Sequence, residues 1–226
     1  MSSQLSQSPL SSVRPPQQQQ EQQQQAPITI LFDQNPTIQK LFPDFVSPST
    51  SSAEMQVLVQ AITTEIVEAA KTSDAGLVDV TLVPILRGAL PMYVAAQTLF
   101  PKPGCVLVRC SKANGTREVK VDWLGRRPFP LEPKNGHILL LDTVIATGGT
   151  ILKICDELMG LSGGKEKYVT ILSCYVSPIG LAAVSKHPLV KEIFVGAMAE
   201  TVDENGYLVP YPGDIGDKLF GTAQNA

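Results

Sequence analysis

The chain has 226 residues, with 18 basic and 21 acidic side chains and a formal net charge of −3. That length suits one domain with a sizeable core, and the balance of charge argues against a dedicated nucleic-acid binder, which needs clustered Lys and Arg. At 43% hydrophobic residues the chain is not disordered throughout.

Residues 1–25 are the exception, being almost all Ser, Gln and Pro with Arg14 and Glu21 as their charges. A stretch so poor in apolar side chains cannot offset its chain entropy by burial, and reads as a disordered tail ahead of a domain over residues 26–226. It holds no apolar run fit for a secretory signal, and no run of about 18 apolar residues occurs later, so neither secretion nor a membrane span is expected. Cys105, Cys110, Cys155 and Cys174 form no CxxC pair and the chain has only two histidines, a poor metal-ligand set. A reducing, cytoplasmic compartment fits such cysteines.

From Ala26 onward, apolar strand-like runs alternate with helical patterns. Ala53–Ala70 reads as a helix, with Leu58, Ile62 and Ile66 on one face behind capping candidates Ser51 and Ser52. Leu77–Leu86 is a nearly continuous apolar run, the pattern of a strand buried on both faces. A helix over about Ala89–Leu99 stops before Pro101, and Cys105–Cys110 is a second strand. Ser111–Asn135 is polar, with Gly and Pro and no sustained period, and reads as a long loop or a hairpin; Trp123 is its packing anchor. His137–Asp142 is a strand, Ile151–Leu161 a helix, Val169–Val176 a strand, Ile179–Ser185 a helix and Glu192–Ala197 a strand. Such alternation argues for an α/β fold with a mainly parallel sheet, in which ligands bind beyond the carboxyl ends of the strands.

The junction after Ile138–Asp142 is the most informative. A buried strand ends in an acid, and Thr147-Gly148-Gly149-Thr150 then opens a helix. Helix N-termini offer unpaired N–H groups and a positive dipole end, glycines admit a close backbone approach, and Asp142 can accept hydrogen bonds from sugar hydroxyls. Phosphate binding and a plain helix cap with a Gly turn both suit this pattern. Gly160-Leu-Ser-Gly-Gly-Lys165 is one residue short of a Walker loop and is followed by Glu166.

Asp142-Thr-Val-Ile-Ala-Thr-Gly-Gly-Thr150 resembles the phosphoribosyl diphosphate (PRPP) signature of type I phosphoribosyltransferases. Its single acid is similar to the uracil phosphoribosyltransferase branch, which has Asp-Pro where most of the family has two acids. Val83-Pro-Ile-Leu-Arg87-Gly-Ala-Leu-Pro-Met92 and Gly206-Tyr-Leu-Val-Pro210-Tyr-Pro-Gly213-Asp214-Ile-Gly216-Asp217-Lys-Leu-Phe-Gly221-Thr222 resemble two further blocks of that branch, in its order. The resemblance covers about residues 28–226.

It implies a type I phosphoribosyltransferase fold, a mainly parallel central sheet flanked by helices with a hood or loop region near the C-terminus, and a dimer or higher homo-oligomer. The implied reaction is uracil plus PRPP to UMP plus diphosphate, with Mg²⁺ carried by PRPP. The implied PRPP contacts are Arg87, Arg109, Asp142, Thr143, Val144, Ile145, Ala146, Thr147, Gly148, Gly149, Thr150 and Asp214. Those to the base are Leu208, Gly213, Asp214 and Ile215, and Arg87 and Asp214 are the catalytic pair.

Several residues depart from the pattern. Thr143 stands at the second position, Cys110-Ser-Lys-Ala follows Arg109 in place of acids, and Ala53–Ala70 lacks Arg and Lys. Tyr211 and Pro212 replace Gly-Leu, and Ile215 replaces Ala, which adds bulk beside the base. Lys112, Arg117, Lys120, Arg126, Arg127 and Lys134 outnumber Glu118, Asp122 and Glu132 in the 111–135 segment, as either a positive lid or a solvated hairpin. Transfer to another base or small acceptor, and a non-catalytic PRPP or nucleotide sensor, are therefore the alternative readings.

Overall fold

The structure, a computed structural model, describes residues 25–112, 119–125, 136–162, 168–210 and 213–222. Residues 1–24 and most of the 113–135 segment lie outside these. Tyr211 and Pro212 do too.

The elements run β1 (Ile28–Ile30), α1 (Pro36–Phe45), α2 (Ser52–Ser73), β2 (Val80–Leu86), α3 (Leu90–Ala96) with a 3₁₀ turn over Gln97–Leu99, β3 (Gly104–Cys105), β4 (Leu107–Lys112) and β5 (Val119–Leu124). They continue with β6 (His137–Leu141), β7 (Val144–Ile145), α4 (Gly149–Ser162), β8 (Val169–Val176), α5 (Pro178–Val184), β9 (Val190–Met198), β10 (Thr201–Val202), β11 (Leu208–Val209) and α6 (Ile215–Phe220). One sheet runs β1-β9-β8-β6-β2-β4-β5, with β3 added to β2 and β7 to β8. Every pairing in it is parallel except β4 with β5, an antiparallel hairpin from Leu107↔Leu124 to Lys112↔Val119. The Ser111–Asn135 stretch is thus a hairpin in its described part.

The long apolar runs become central strands because both sheet faces are covered. Along β6, Leu139 and Leu141 face a core built with α1, α2, α3 and α6, while Ile138 and Leu140 face one built with α4 and α5. The longest helix, α2, starts in a complete capping box, Ser51 with Glu54, and turns Met55, Val59, Ile62 and Ile66 inward, all fully buried. Helix α1 escapes the sequence pattern because Pro43 sits inside it. Asn35 caps it and Pro36 opens it, and Phe42 stacks on Phe45 at 5.2 Å and meets the Tyr175 ring edge-on at 5.0 Å. Among the described residues no helix is long and apolar enough to cross a membrane.

The five central strands lie in the order β4-β2-β6-β8-β9. The chain leaves β2 toward one edge and returns at β6 to build toward the other, so strand order reverses between β2 and β6. In open α/β sheets a ligand crevice lies outside the carboxyl ends of the strands at such a point. The residues standing there are Arg87 after β2 and Asp142 after β6.

Candidate active site

Asp142 leaves β6 with its amide still bonded to the Leu172 carbonyl at 3.1 Å. Strand β7 then rejoins the sheet, Val144 beside Tyr175 and Ile145 beside Val176. This short pairing carries Ala146–Gly148 across the strand ends to the start of α4. The Leu152 amide bonds to the Gly148 carbonyl at 3.0 Å, so the amides of Gly149, Thr150 and Ile151 form the first turn, where no intrahelical acceptor exists. They point outward at the positive end of the helix.

Two glycines hold this turn against α5. Gly148 has φ +78°, and a Cβ there would come 2.8 Å from Val184 Cγ1 and 3.1 Å from the Gly180 carbonyl oxygen. A Cβ at Gly180 would in turn overlap the Ala146 carbonyl group. Ser177 fastens the same wall: its hydroxyl donates to the Ala146 carbonyl and accepts from the Gly180 amide at 2.9 Å. The result is a cleft of about 180 Å³ lined by Asp142, by Val144–Ile151, and by Asn205 and Gly206 from the β10–β11 hairpin. Asp142 is half-buried, and burial holds its carboxyl up at about 7, against a bond from the Val144 amide that lowers it. A larger cavity, about 570 Å³, lies by the α1–α2 connection. Asp44 and Glu54 line it and give it the charge of a phosphate, so it suits that ligand poorly.

Arg87 follows a cis Leu86–Arg87 peptide bond. Its guanidinium reaches the C-terminal segment, donating from Nη2 to Asp217 Oδ1 at 2.7 Å and from Nη1 to Thr222 Oγ1 at 3.1 Å. Thr222 Oγ1 also donates to Asp217 Oδ1 at 2.6 Å, and these two partners hold the Asp217 carboxyl below its ordinary range, the Thr222 bond more than the Arg87 bond. Arg109 does not end its strand as the sequence suggests. It lies within β4, beside Leu86 in register, because the strand runs on to Lys112 to form the hairpin. Its guanidinium pairs with Asp122 at 3.1 Å, which also takes Lys120 at 3.1 Å. Trp123 anchors the hairpin by donating to Glu157 Oε2 at 2.8 Å. Cys110, half-buried, has its thiol pushed up to about 12 mainly by burial, so it is no nucleophile.

Asp214 caps α6, accepting from the Asp217 amide at 3.0 Å. A Cβ placed on Gly88 would meet Ile215 Cγ2 at 3.2 Å, so the C-terminal block sits directly on the Arg87 loop. Leu208 is buried in the core, leaving only its backbone to face a ligand. Gly213 is exposed ahead of α6. Thr143 turns inward and is fully buried, with its hydroxyl on the Gly88 carbonyl at 2.9 Å. Sequence reasoning missed Asn205, Ser177 and Gly180, and gave Gly206 no role beyond opening the C-terminal block. The Asn205-Gly206 pair is a hairpin signal, but nothing local says that the hairpin tip overhangs the cleft.

The model of the family described as uracil phosphoribosyltransferase matches residues 47–222. A uracil phosphoribosyltransferase of Natronomonas pharaonis is 30% identical over 169 residues, covering 72% of this chain and 74% of that one. That of Clostridium acetobutylicum is 34% identical over 144 residues, covering 63% and 66%. Among solved structures, an Aquifex aeolicus protein superposes with a TM-score of 0.72 at 25% identity over 85% of this chain and 97% of that one. The family match spans β2, the Asp142–Thr150 cradle and the C-terminal block alike, and the chain belongs to the uracil phosphoribosyltransferase family.

Proposed function

We propose that the chain transfers the phosphoribosyl group of PRPP to uracil, giving UMP and diphosphate. One observation carries this: a strand-end acid, a glycine-opened helix start and Arg87 meet where the strand order reverses. In this reading the 5′-phosphate rests on the amides of Ala146–Thr150, with the Thr147 and Thr150 hydroxyls beside it. Val144 and Ile145 carry that loop into place through β7. Asp142 accepts from the ribose hydroxyls.

Arg87 grips the leaving diphosphate, where a planar guanidinium can bind two oxygens at once. Its bonds to Thr222 and Asp217 use one N–H on each Nη, which leaves three of its five donors for the diphosphate. Arg109, beside Leu86, is the second cation. The base lies against backbone groups of Leu208, Gly213, Asp214 and Ile215, whose N–H and C=O directions are fixed. Chemistry that spreads positive charge over the ribose is served by position and by electrostatics. Asp214, next to the Arg87 loop, supplies the negative charge on the base side.

Among the described residues no group of three or more His, Cys, Asp or Glu side chains could hold a metal. The single carboxylates Asp142 and Asp214 fit Mg²⁺ that arrives on PRPP oxygens and keeps several waters. When bound, the ion would neutralise charge on the diphosphate. We further assign residues 1–25 as a tail and 26–226 as the catalytic domain, from composition, a cytoplasmic location, from the cysteines, and a homodimer or higher homo-oligomer, from the family.

Diphosphate release measured with PRPP, Mg²⁺ and a panel of heterocyclic bases tests the reading. Release should depend on uracil. Release with a different base alone would move the acceptor, and release with none would remove the enzymatic function.

A further inference from the structure

The structure assigns Thr143 a positioning role: its buried hydroxyl ties the Arg87 loop to the Asp142 loop, and so sets where diphosphate is gripped relative to the ribose. This inference rests on the proposed PRPP site. Strands β2 and β6 are joined by backbone pairing up to Val83↔Leu140 and Pro84↔Leu141. Beyond that point β2 turns to β4, through Ile85↔Val108 and Leu86↔Arg109. The two ligand loops therefore leave the sheet side by side with no ladder between them. Across residues 86–89 and 142–150, the one hydrogen bond from loop to loop is Thr143 Oγ1 to the Gly88 carbonyl, 2.9 Å long.

Thr143 is itself held from behind. Its carbonyl accepts from the Tyr175 amide at 3.1 Å and from the Ser173 hydroxyl at 3.5 Å. The residue is fastened to β8 through its backbone and fastens Gly88 through its side chain. Gly88 is the neighbour of Arg87, so a shift of its carbonyl moves the guanidinium. With no hydroxyl at residue 143, the half-buried Gly88 carbonyl would lose this partner, and no hydrogen bond would fix the Arg87 loop against the Asp142 loop. The 5′-phosphate cradle, built on β7, α4 and α5, does not depend on this bond.

The test separates the two ends of the substrate. Titrations of the full chain with magnesium diphosphate and with ribose 5-phosphate would compare wild type with Thr143→Val, Thr143→Ala and Thr143→Ser. The Ser and Ala variants both lose the methyl group and differ only in the hydroxyl, so they decide the matter even if the Val variant does not fold. We expect Thr143→Val and Thr143→Ala to weaken diphosphate binding by up to roughly tenfold, the value of one hydrogen bond. Ribose 5-phosphate binding should stay within about twofold, and Thr143→Ser should restore diphosphate binding. In steady-state kinetics the KM for PRPP should rise while the KM for the base holds. Equal diphosphate binding by the Ala and Ser variants, or equal losses for both ligands alongside a lowered Tm, would overturn the positioning role. Wild-type protein that binds neither ligand would overturn the proposed site together with it.

Discussion

Replacing Gly148 by Ala tests whether the cradle depends on its contact with α5. The residue has φ +78°, and an L-side chain in that region costs about 1–2 kcal/mol. The added methyl would also stand 2.8 Å from Val184 Cγ1 and 3.1 Å from the Gly180 carbonyl oxygen. Val184 is fully buried, so neither neighbour can swing away. Overpacking of this kind costs about 1–3 kcal/mol. The two together predict a loss of about 2–5 kcal/mol, or roughly 4–20 °C in Tm for a domain of this size. Because the methyl faces α5 and not the cleft, it harms ligand binding only by moving Ala146–Gly148. A displacement approaching 1 Å is enough to cost roughly 100-fold in rate. Thermal unfolding and titration with ribose 5-phosphate would be run beside two controls. A Cβ at Gly149 meets nothing nearer than Thr147 Oγ1 at 3.7 Å, and one at Gly160, inside α4, meets nothing within 4 Å. Gly149→Ala should keep the wild-type Tm, and Gly160→Ala should gain up to about 1 kcal/mol from helix propensity. A Gly148→Ala protein with wild-type Tm and wild-type ligand affinity would refute the packing account of the cradle.

Other outcomes follow from the remaining geometry. Burial raises Asp142 to about 7 from an ordinary 3.8, so the folded protein favours its neutral form. Ionisation therefore costs stability, by up to about 4 kcal/mol, as pH climbs from near 4 to 7, and Asp142→Asn should flatten that decline in a Tm-against-pH series. Sugar hydroxyls donate to the carboxylate form, so ribose 5-phosphate binding should strengthen as pH rises through 7 in wild type more than in Asp142→Asn; a matching pH dependence would count against that contact. Arg87→Lys keeps the charge but loses the fork. Arg87 itself is well exposed, so Tm should barely move while kcat/KM for PRPP falls by at least about 100-fold. Asn205→Ala removes the polar tip over the cleft and should lower kcat/KM for PRPP by at least about tenfold with an unchanged Tm, the lower end of the value of one hydrogen bond to a charged group; an unchanged kcat/KM would place the hairpin tip outside the working site.

The central sheet was readable because its strands are apolar on both faces: Val169–Val176 appears with the bounds its sequence suggests, and β6 ends one residue before Asp142. The start of α2 was legible from the capping candidates Ser51 and Ser52, of which Ser51 is the cap, with Glu54 completing the box. The elements that were missed depend on distant partners. Helix α1 carries Pro43 and is held by Phe42 and Phe45 packing on Tyr175. The β10 and β11 strands are two residues each, too short to show any period. The same division runs through the site. The acid-to-glycine segment is local and was legible as a cradle. The inward turn of Thr143, the Arg87–Asp217–Thr222 group and the overhanging Asn205 join residues at least 55 positions apart or come from the closure of the fold. Arg109 read as the end of the Cys105–Cys110 strand because a polar segment starts at Ser111; the strand's continuation to Lys112 is set by its pairing with β5.

The most direct test of the whole account follows labelled uracil in a single turnover, with the protein in excess over PRPP and Mg²⁺ present. The account predicts labelled UMP in a one-to-one ratio with diphosphate, and loss of both in Arg87→Lys. Tight PRPP binding with no labelled UMP, and no diphosphate released, would contradict it.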